Sequence, residues 1–216
     1  MRIDLEQMDS RGPIELPRDT VDVWLAGPAT ALHPQSVRRI DADRAWQMAI
    51  LGRYTGLPPS CIRLARDRFG KPTMPGSDIQ FSVSHSWALI VCAVAITPVG
   101  IDVERTTSYC GFRTISESFF SPSERRAVAG KRGSVDTLSF YAAWTCKEAY
   151  AKARGQGLQR SFGSFEVNVD TGHLEDRNDP LAALLWTARS FEPADDYMGA
   201  LVTRRSVAHI RWLRLI

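Results

Sequence analysis

The sequence has few lysines, few cysteines and no long apolar segment. The basic side chains are nearly all arginine, and the only lysines are Lys71, Lys131, Lys147 and Lys152. The 4 cysteines lie far apart and form no C-x-x-C pair, which argues against a zinc site and predicts reduced thiols. The longest apolar run, Ala88 to Ile96, is too short to span a bilayer, and the N-terminus lacks the apolar core of a signal peptide. We therefore expect a cytoplasmic protein without a membrane partner.

The charge balance is moderate as well. The net charge is +3 over 216 residues, and no long block of lysine and arginine occurs. These values do not indicate a nucleic-acid-binding protein, but they suit a protein that meets phosphates or an acidic partner. A chain of this length folds as one large domain or as two small subdomains.

Hydrophobic periodicity predicts strands and helices in both halves of the chain. The predicted strands cover residues 21–25, 79–84, 87–96, 99–104, 165–169, 184–191, 198–203 and 209–216. The predicted helices cover residues 36–54, 117–130 and 134–155. This mixture indicates an α+β (mixed α/β) fold. A break near Pro98 predicts an N-terminal subdomain over residues 1–98 and a C-terminal one over 99–216.

Two carboxylates share one face of the predicted strand 99–104. Asp102 and Glu104 are separated by two positions, so their Cα atoms lie roughly 6.5–7 Å apart on the same side. Their oxygens can converge on one hard cation such as Mg²⁺, and Gly100 is expected to leave room for a ligand beside them. A solvated acidic strand face is the plain alternative, because D-x-E alone is a weak signal.

The predicted helix 134–155 carries a second candidate group. Trp144, Glu148 and Lys152 are spaced at i, i+4 and i+8 and therefore line one face, with Lys147 beside it. Glu148 could complete the metal site, and Lys152 could hold a phosphate oxygen. The alternative is an ordinary salt bridge from Glu148 to Lys152, which stabilises a helix by roughly 0.2–0.5 kcal/mol.

Together the segments VGIDVE and W-x-x-K-E-A-x-x-K resemble the signature pair of the 4′-phosphopantetheinyl transferases. The resemblance is to the monomeric surfactin-synthetase-activator type, W/KEA branch, and covers about residues 38–157. It implies two similar α/β subdomains in a pseudo-two-fold arrangement, and a metal site for Mg²⁺ (or Mn²⁺) at Asp102, Glu104 and Glu148. It also implies transfer of 4′-phosphopantetheine from coenzyme A to a serine of an acyl or peptidyl carrier protein, which releases 3′,5′-ADP.

Further segments match this family in the same order along the chain. The resemblance implies coenzyme A contacts from the following residues: Arg44, Arg68, Lys71, Pro72, Ser84, His85, Lys147 and Lys152. Arg44 matches an arginine that grips the 3′-phosphate, and Gly70-Lys71-Pro72 matches a turn at the adenosine end. Ser84 and His85 match a segment that contacts phosphate. As plain alternatives, these are a solvated arginine, an ordinary turn and polar residues at a strand end.

Glu124 has two interpretations. The segment from Phe119 to Glu124 matches an FFS-x-x-E motif whose glutamate is proposed to activate the carrier serine, so Glu124 is a candidate catalytic residue together with Glu148 and Lys152. Ser121, Pro122 and Glu124 also have the spacing of a helix capping box. Both roles stay open at this point.

Three other functional classes fit the sequence less well. A serine hydrolase built on Ser84 and His85 lacks a G-x-S-x-G elbow. Another Mg²⁺-dependent phosphotransferase or nuclease would need different substrate motifs, and a non-catalytic carrier-binding protein would be expected to lack a metal ligand. The basic or apolar positions Phe112, Arg113, Arg125 and Arg126 are the predicted docking face for an acidic carrier protein.

Overall fold

The computed structural model describes residues 6–8, 12–27, 38–131, 134–155 and 161–215. Its helices are Arg38–Thr55 (α1), Phe112–Phe119 (α2), Pro122–Ala127 (α3), Thr137–Arg154 (α4) and Ala182–Leu185 (α5). Its strands are Glu6–Met8 (β1), Thr20–Ala26 (β2), Ala65–Arg66 (β3), Pro72–Thr73 (β4), Gln80–Ser86 (β5), Leu89–Ala95 (β6), Gly100–Arg105 (β7), Phe165–Val167 (β8), Leu174–Asp176 (β9), Trp186–Phe191 (β10), Tyr197–Arg204 (β11) and His209–Leu215 (β12). The predicted α+β class is confirmed. None of these described helices is both long and apolar enough to cross a membrane.

Most strands belong to two sheets. The first has five strands in the order β1-β12-β2-β6-β5, in which β12 runs parallel to β1 and β2 while β6 is antiparallel to its neighbours. The second is antiparallel, with the order β10-β11-β7. The chain passes from the first sheet to the second between β6 and β7, and its last strand, β12, lies in the first sheet. The subdomains 1–98 and 99–216 and their pseudo-two-fold relation stay predictions.

Each sheet is covered by one long helix. Helix α1 buries Ile50 and Leu51 in the cluster that contains Trp24 of β2, and α4 buries Ala149 and Tyr150 against the second sheet. These clusters follow from the apolar stripes of the two helices and remove their side chains from water.

Gly100 sets the distance between α4 and β7. A Cβ atom at this position would lie 1.9 Å from the carbonyl oxygen of Ala149 and 2.5 Å from the amide nitrogen of Ala153. The space beside Gly100 is therefore filled by the helix backbone. The expectation that Gly100 makes room for a ligand was wrong, and the residue instead allows the helix to approach the acidic strand.

Several predicted boundaries differ from the structure by a few residues. The predicted helix 117–130 is two helices, because the chain is extended at Phe120 and Ser121 before Pro122 starts α3. The predicted strand 184–191 starts at Trp186, after the short α5. The strand predicted over 87–96 starts at Leu89, because Trp87 lies in the connecting turn with φ of 52°.

Candidate active site

The two strand carboxylates lie where the two sheets meet. Strand β7 runs beside β5, the edge strand of the first sheet. Ser84 donates a hydrogen bond from its Oγ to Oδ1 of Asp102 at 2.7 Å, and Ser86 donates from its Oγ to Oε2 of Glu104 at 2.8 Å. The predicted strand face carrying Asp102 and Glu104 therefore points at a second strand, and Asp102 is only 3% exposed.

Lys152 of α4 joins this group. Its Nζ lies 2.7 Å from Oδ1 of Asp102 and 2.9 Å from Oγ of Ser84. The alternative interpretation of Lys152, an ion pair with Glu148 along the helix, is replaced by this pair across the α4–β7 contact. The close approach at Gly100 makes it possible, because it brings the last turns of α4 onto the strand.

Glu148 and Glu104 titrate in the electric field of Asp102. Burial, reinforced by the charge of Asp102, raises the pKa of Glu148 to about 7. Burial also raises the pKa of Glu104, while the hydrogen bond from Ser86 lowers it. The three predicted metal ligands therefore lie near enough to influence one another.

Asp102, Glu104 and Glu148 have the side-chain chemistry that a hard cation needs, although their oxygens do not converge on one point. Oδ2 of Asp102 is buried and has no hydrogen-bond partner, which is costly unless another group approaches it. All three side chains offer carboxylate oxygens, the ligands that Mg²⁺ prefers. In the described ranges, no set of three His, Cys, Asp or Glu side chains stands ready to hold a metal ion. The ammonium of Lys152 lies against Asp102 instead.

A pocket of about 240 Å³ adjoins Lys152. It is lined by the predicted turn, by β5 and by the end of α4, with contributions from Gln47, Phe69, Gly70, Lys71, Pro72, Phe81, Ser82, Val83, Lys152 and Gly155. The turn is fixed by Asp67, whose Oδ1 accepts hydrogen bonds from the amides of Phe69 and Lys71, each at 2.9 Å. Burial lowers the pKa of Lys71 to about 8, although Asp67 opposes this. Lys71 and Lys152 thus bring two cations to one pocket.

Arg44, Arg68 and His85 are all exposed. They are not among the residues that line this pocket. The guanidinium of Arg68 lies 4.6 Å from the centroid of the Phe69 ring, which does line it. His85 points away from Ser84 and Ser86 because neighbouring residues of a strand face opposite sides.

Glu124 and Lys147 form a separate, buried pair. Lys147 donates from Nζ to both carboxylate oxygens of Glu124, at 2.9 and 2.8 Å, and to the carbonyl oxygen of Phe165 at 2.7 Å. Glu124 also accepts from the amides of Ser121 and Val167. The capping-box interpretation of Ser121 and Glu124 is confirmed. Neither Glu124 nor Lys147 lines the pocket beside Lys152.

One member of the predicted docking face lies in the core. Phe112 is 6% exposed and stacks on Phe140 with 4.2 Å between ring centroids. Its inclusion was wrong, because the ring packs in a buried cluster with Phe120 and Phe140. Arg113, Arg125 and Arg126 are exposed.

Comparison with known proteins identifies the family to which this geometry belongs. A model of the 4′-phosphopantetheinyl transferase superfamily matches residues 98–202, which include β7 and α4. The chain is 36% identical over 173 residues to the 4′-phosphopantetheinyl transferase gsp of Aneurinibacillus migulanus, a match that covers 76% of this chain and 71% of that protein. The chain belongs to the 4′-phosphopantetheinyl transferase superfamily. The resemblance drawn from the two motifs is confirmed.

Other relatives match over a shorter range. A 4′-phosphopantetheinyl transferase of Bacillus subtilis is 39% identical over 121 residues, which cover 55% of this chain and 53% of the relative. The 4′-phosphopantetheinyl transferase Sfp of Bacillus subtilis strain 168 is 34% identical over 138 residues, which cover 63% and 61%. The chain thus spans between half and two thirds of the length of these curated superfamily members.

Several residues at the site were missed in the sequence. Ser86 contacts Glu104, Asp67 fixes the turn, and Gln47 of α1 lines the pocket. Ser86 had a readable signal, because it lies two positions after Ser84 on a predicted strand and therefore on the same face. Asp67 also had one, since an aspartate three residues before a glycine is typical of a side-chain-stabilised turn. Gln47 had no local signal, because only the packing of α1 places it there.

Proposed function

We propose that this chain transfers 4′-phosphopantetheine from coenzyme A to a serine of an acyl or peptidyl carrier protein, which yields holo-carrier protein and 3′,5′-ADP. The observation that carries the proposal is the position of Lys152. Its ammonium bridges Ser84 and Asp102 at the wall of the pocket formed by the Gly70–Pro72 turn. Membership of a superfamily whose members are named for this reaction supports it.

The pocket is proposed to take the nucleotide end of coenzyme A. Lys71 and Lys152 supply cations for its phosphates, and Phe69 and Pro72 supply apolar surface beside them. Arg44, Arg68, Ser84 and His85 are proposed as further phosphate contacts from their motif matches. Arginine suits this task because its planar fork binds phosphate through two hydrogen bonds.

Asp102, Glu104 and Glu148 would hold Mg²⁺ or Mn²⁺, which supplies charge neutralisation at the pyrophosphate of coenzyme A. The partnerless Oδ2 of Asp102 supports this assignment. The raised pKa of Glu148 supports it too, because a carboxyl group that is buried, and that also lies near Asp102, resists ionisation unless a cation is bound beside it.

In the reaction, the hydroxyl oxygen of the carrier serine bonds to the β-phosphorus of coenzyme A while the bond from that phosphorus to the 3′,5′-ADP oxygen breaks. Lys152 donates hydrogen bonds to the departing ADP, and Ser84 and the turn hold its phosphates in place. Such transfers depend mainly on positioning and charge stabilisation. The motif match proposes Glu124 as acceptor of the serine proton, which requires the buried pair with Lys147 to open.

The test is modification of apo-carrier proteins of the fatty-acid, polyketide and peptide types. We expect the mass of at least one carrier to rise by one phosphopantetheine when coenzyme A and Mg²⁺ are present. An equal amount of 3′,5′-ADP should appear, which distinguishes this reaction from other phosphotransfers. Asp102→Asn, which keeps the shape of the side chain, should abolish the rise. Unmodified carriers of all three types would contradict the proposal.

A monomeric state and a cytoplasmic location without nucleic-acid or membrane partners complete the proposal. The moderate net charge of +3 supports the absence of a nucleic-acid partner. Light scattering of the purified chain, alone and with coenzyme A, tests the monomer, and a stable dimer would overturn it.

A further inference from the structure

Three serines on alternate positions of β5 face the acidic strand β7. Ser82 accepts a hydrogen bond from the amide of Ile101 at 3.1 Å. Ser84 donates to Asp102, and Ser86 donates to Glu104. The three hydroxyls therefore repeat with the period of the strand and meet consecutive parts of β7. We call Ser82, Ser84 and Ser86 the serine ladder.

The ladder joins two strands that share no backbone pairing. Strands β5 and β7 are neighbours in space, but within the described strands they are the edges of two different sheets. Hydroxyl groups occupy the place that amide–carbonyl bonds would have in a continuous sheet. All three serines are at most 8% exposed, so the hydrogen bonds are shielded from water and their loss is costly.

Ser86 differs from Ser82 in what it holds. The hydroxyl of Ser86 accepts from the amide of Arg105 at 3.1 Å and donates to Oε2 of Glu104 at 2.8 Å. Because both directions of this hydroxyl are engaged, its orientation and that of the carboxylate fix each other. The hydroxyl of Ser82 binds the backbone amide of Ile101 instead of a carboxylate. Both serines thus accept a hydrogen bond from the backbone of β7, but only Ser86 of the two also donates to a carboxylate.

We propose that Ser86 is a positioning residue that presents the carboxylate of Glu104 to the divalent cation, while Ser82 binds the backbone of β7 instead of a carboxylate. The inference rests on the proposed metal site. The physical reason is that a hydrogen bond to one carboxylate oxygen restricts rotation of the group and leaves the other oxygen for the metal. Ser84 acts on Asp102 in the same way, but it also contacts Lys152, so Ser86 is the cleaner case.

The experiment measures binding of Mn²⁺ alone to the full chain, from the electron paramagnetic resonance signal of free Mn²⁺. Loss of an outer-shell partner of a metal ligand typically costs about 10–100-fold in metal affinity. We expect Ser86→Ala to raise the dissociation constant at least about 10-fold. Ser82→Ala is the matched control, because it removes the same hydroxyl from the same strand, and its dissociation constant should stay within about 2-fold of the wild-type value.

A double-mutant cycle gives the second readout. In a Glu104→Gln background, Ser86→Ala should weaken Mn²⁺ binding no further, because the carboxylate that it positions has already gone. If Ser86→Ala does not fold, Ser86→Cys takes its place, since it keeps the volume but donates only weakly. An unchanged dissociation constant, or an equal rise in the Ser82 and Ser86 variants, would overturn the inference alone. Failure of the wild-type chain to bind Mn²⁺ would overturn the proposed metal site and this inference together.

Discussion

Helix α4 carries two ion pairs whose environments differ sharply. The side chains of Lys147 and Glu124 are 0% and 2% exposed, whereas those of Lys152 and Asp102 are 29% and 5% exposed. The Lys147 ammonium donates its hydrogen bonds to Glu124 and to the Phe165 carbonyl, all in the interior. Lys152 instead reaches the wall of a pocket, and its partner Asp102 has an oxygen without a hydrogen bond.

The difference separates a structural pair from a site available to a ligand. The fully buried pair of Lys147 and Glu124 holds α3, α4 and β8 together. Neither side chain can turn toward a substrate without leaving the other charge buried and unpaired, which is costly. A partly exposed ammonium beside an unsatisfied carboxylate can change partners at little cost. Two lysines in one motif can therefore have opposite tasks.

The largest expected loss of stability comes from a variant that displaces α4, the helix that carries both ion pairs. Gly100→Ala places a methyl group 1.9 Å from the carbonyl oxygen of Ala149, so α4 must move away from β7. We expect a loss of more than about 4 kcal/mol in the free energy of unfolding, or failure to fold, measured by urea unfolding. Gly163→Ala is the control, because its new methyl would approach nothing closer than 3.8 Å, and it should change stability by about 0.5 kcal/mol or less. A stable Gly100→Ala variant would contradict the assigned packing.

The next largest effect tests the buried pair. Lys147→Met leaves the Glu124 carboxylate buried without its counter-charge, and we expect a loss of about 3–5 kcal/mol in urea unfolding. Replacing both partners, with Lys147→Met and Glu124→Leu, should recover part of this loss, because no buried charge remains, while the amides of Ser121 and Val167 lose their acceptor.

Activity of that double variant separates the two roles of Glu124. If Glu124 only holds β8 and α3 to α4, the folded double variant should modify carrier protein at a rate within about 10-fold of wild type. If Glu124 accepts the serine proton, the rate should fall by about 100-fold or more although the protein is folded. Because the double variant also lacks Lys147, its rate per folded molecule is compared with that of Lys147→Met alone, and only a further fall assigns the serine proton to Glu124.

A smaller effect concerns the carboxylates near the Lys152–Asp102 pair and depends on pH. The pKa of Glu148 is raised from 4.5 to about 7, so the folded protein binds this proton more tightly than the unfolded chain does. The wild type therefore loses stability as pH rises from about 4.5 through 7, and Glu148→Gln removes this loss. In urea unfolding without divalent cations, we expect the variant to gain stability relative to wild type between pH 5 and pH 8. A difference that does not change with pH would contradict the burial of Glu148 beside Asp102.

The sequence predicted the helices and strands whose own residues show a hydrophobic periodicity. Strand β7 and helix α4 were correct within a few residues, because alternation and a helical stripe with Gly155 as its end are local signals. Family membership followed from combining their side chains. The break at Pro122 was wrongly predicted as a continuous helix, although proline at a first helical position is a boundary signal.

The partner of each charge could not be predicted from the sequence. Lys147 and Glu148 are adjacent in the chain, yet one faces Glu124 and the other the strand carboxylates. Spacing predicted which residues share a face, but the choice of partner depends on how closely α4 packs on Gly100, where an added Cβ would lie 1.9 Å from the Ala149 carbonyl oxygen, and on the contact between β5 and β7. Those distances arise from tertiary packing between residues far apart in the chain, so no local pattern encodes them.

The smallest expected change in stability belongs to the pair at the pocket. Lys152→Met removes an ammonium that is 29% exposed, so solvent already weakens its ion pair with Asp102, and the carboxylate keeps the hydrogen bond from Ser84. We therefore expect a loss of only about 1–2 kcal/mol in urea unfolding, less than for Lys147→Met. The rate of carrier modification should nevertheless fall by about 100-fold or more, because the charge that develops on the departing ADP loses its donor. Lys131→Met is the control, since this lysine is exposed, and it should change neither quantity. If Lys152→Met costs as much stability as Lys147→Met and leaves the rate per folded molecule unchanged, the two pairs on α4 have the same structural task, and the division drawn from their burial fails.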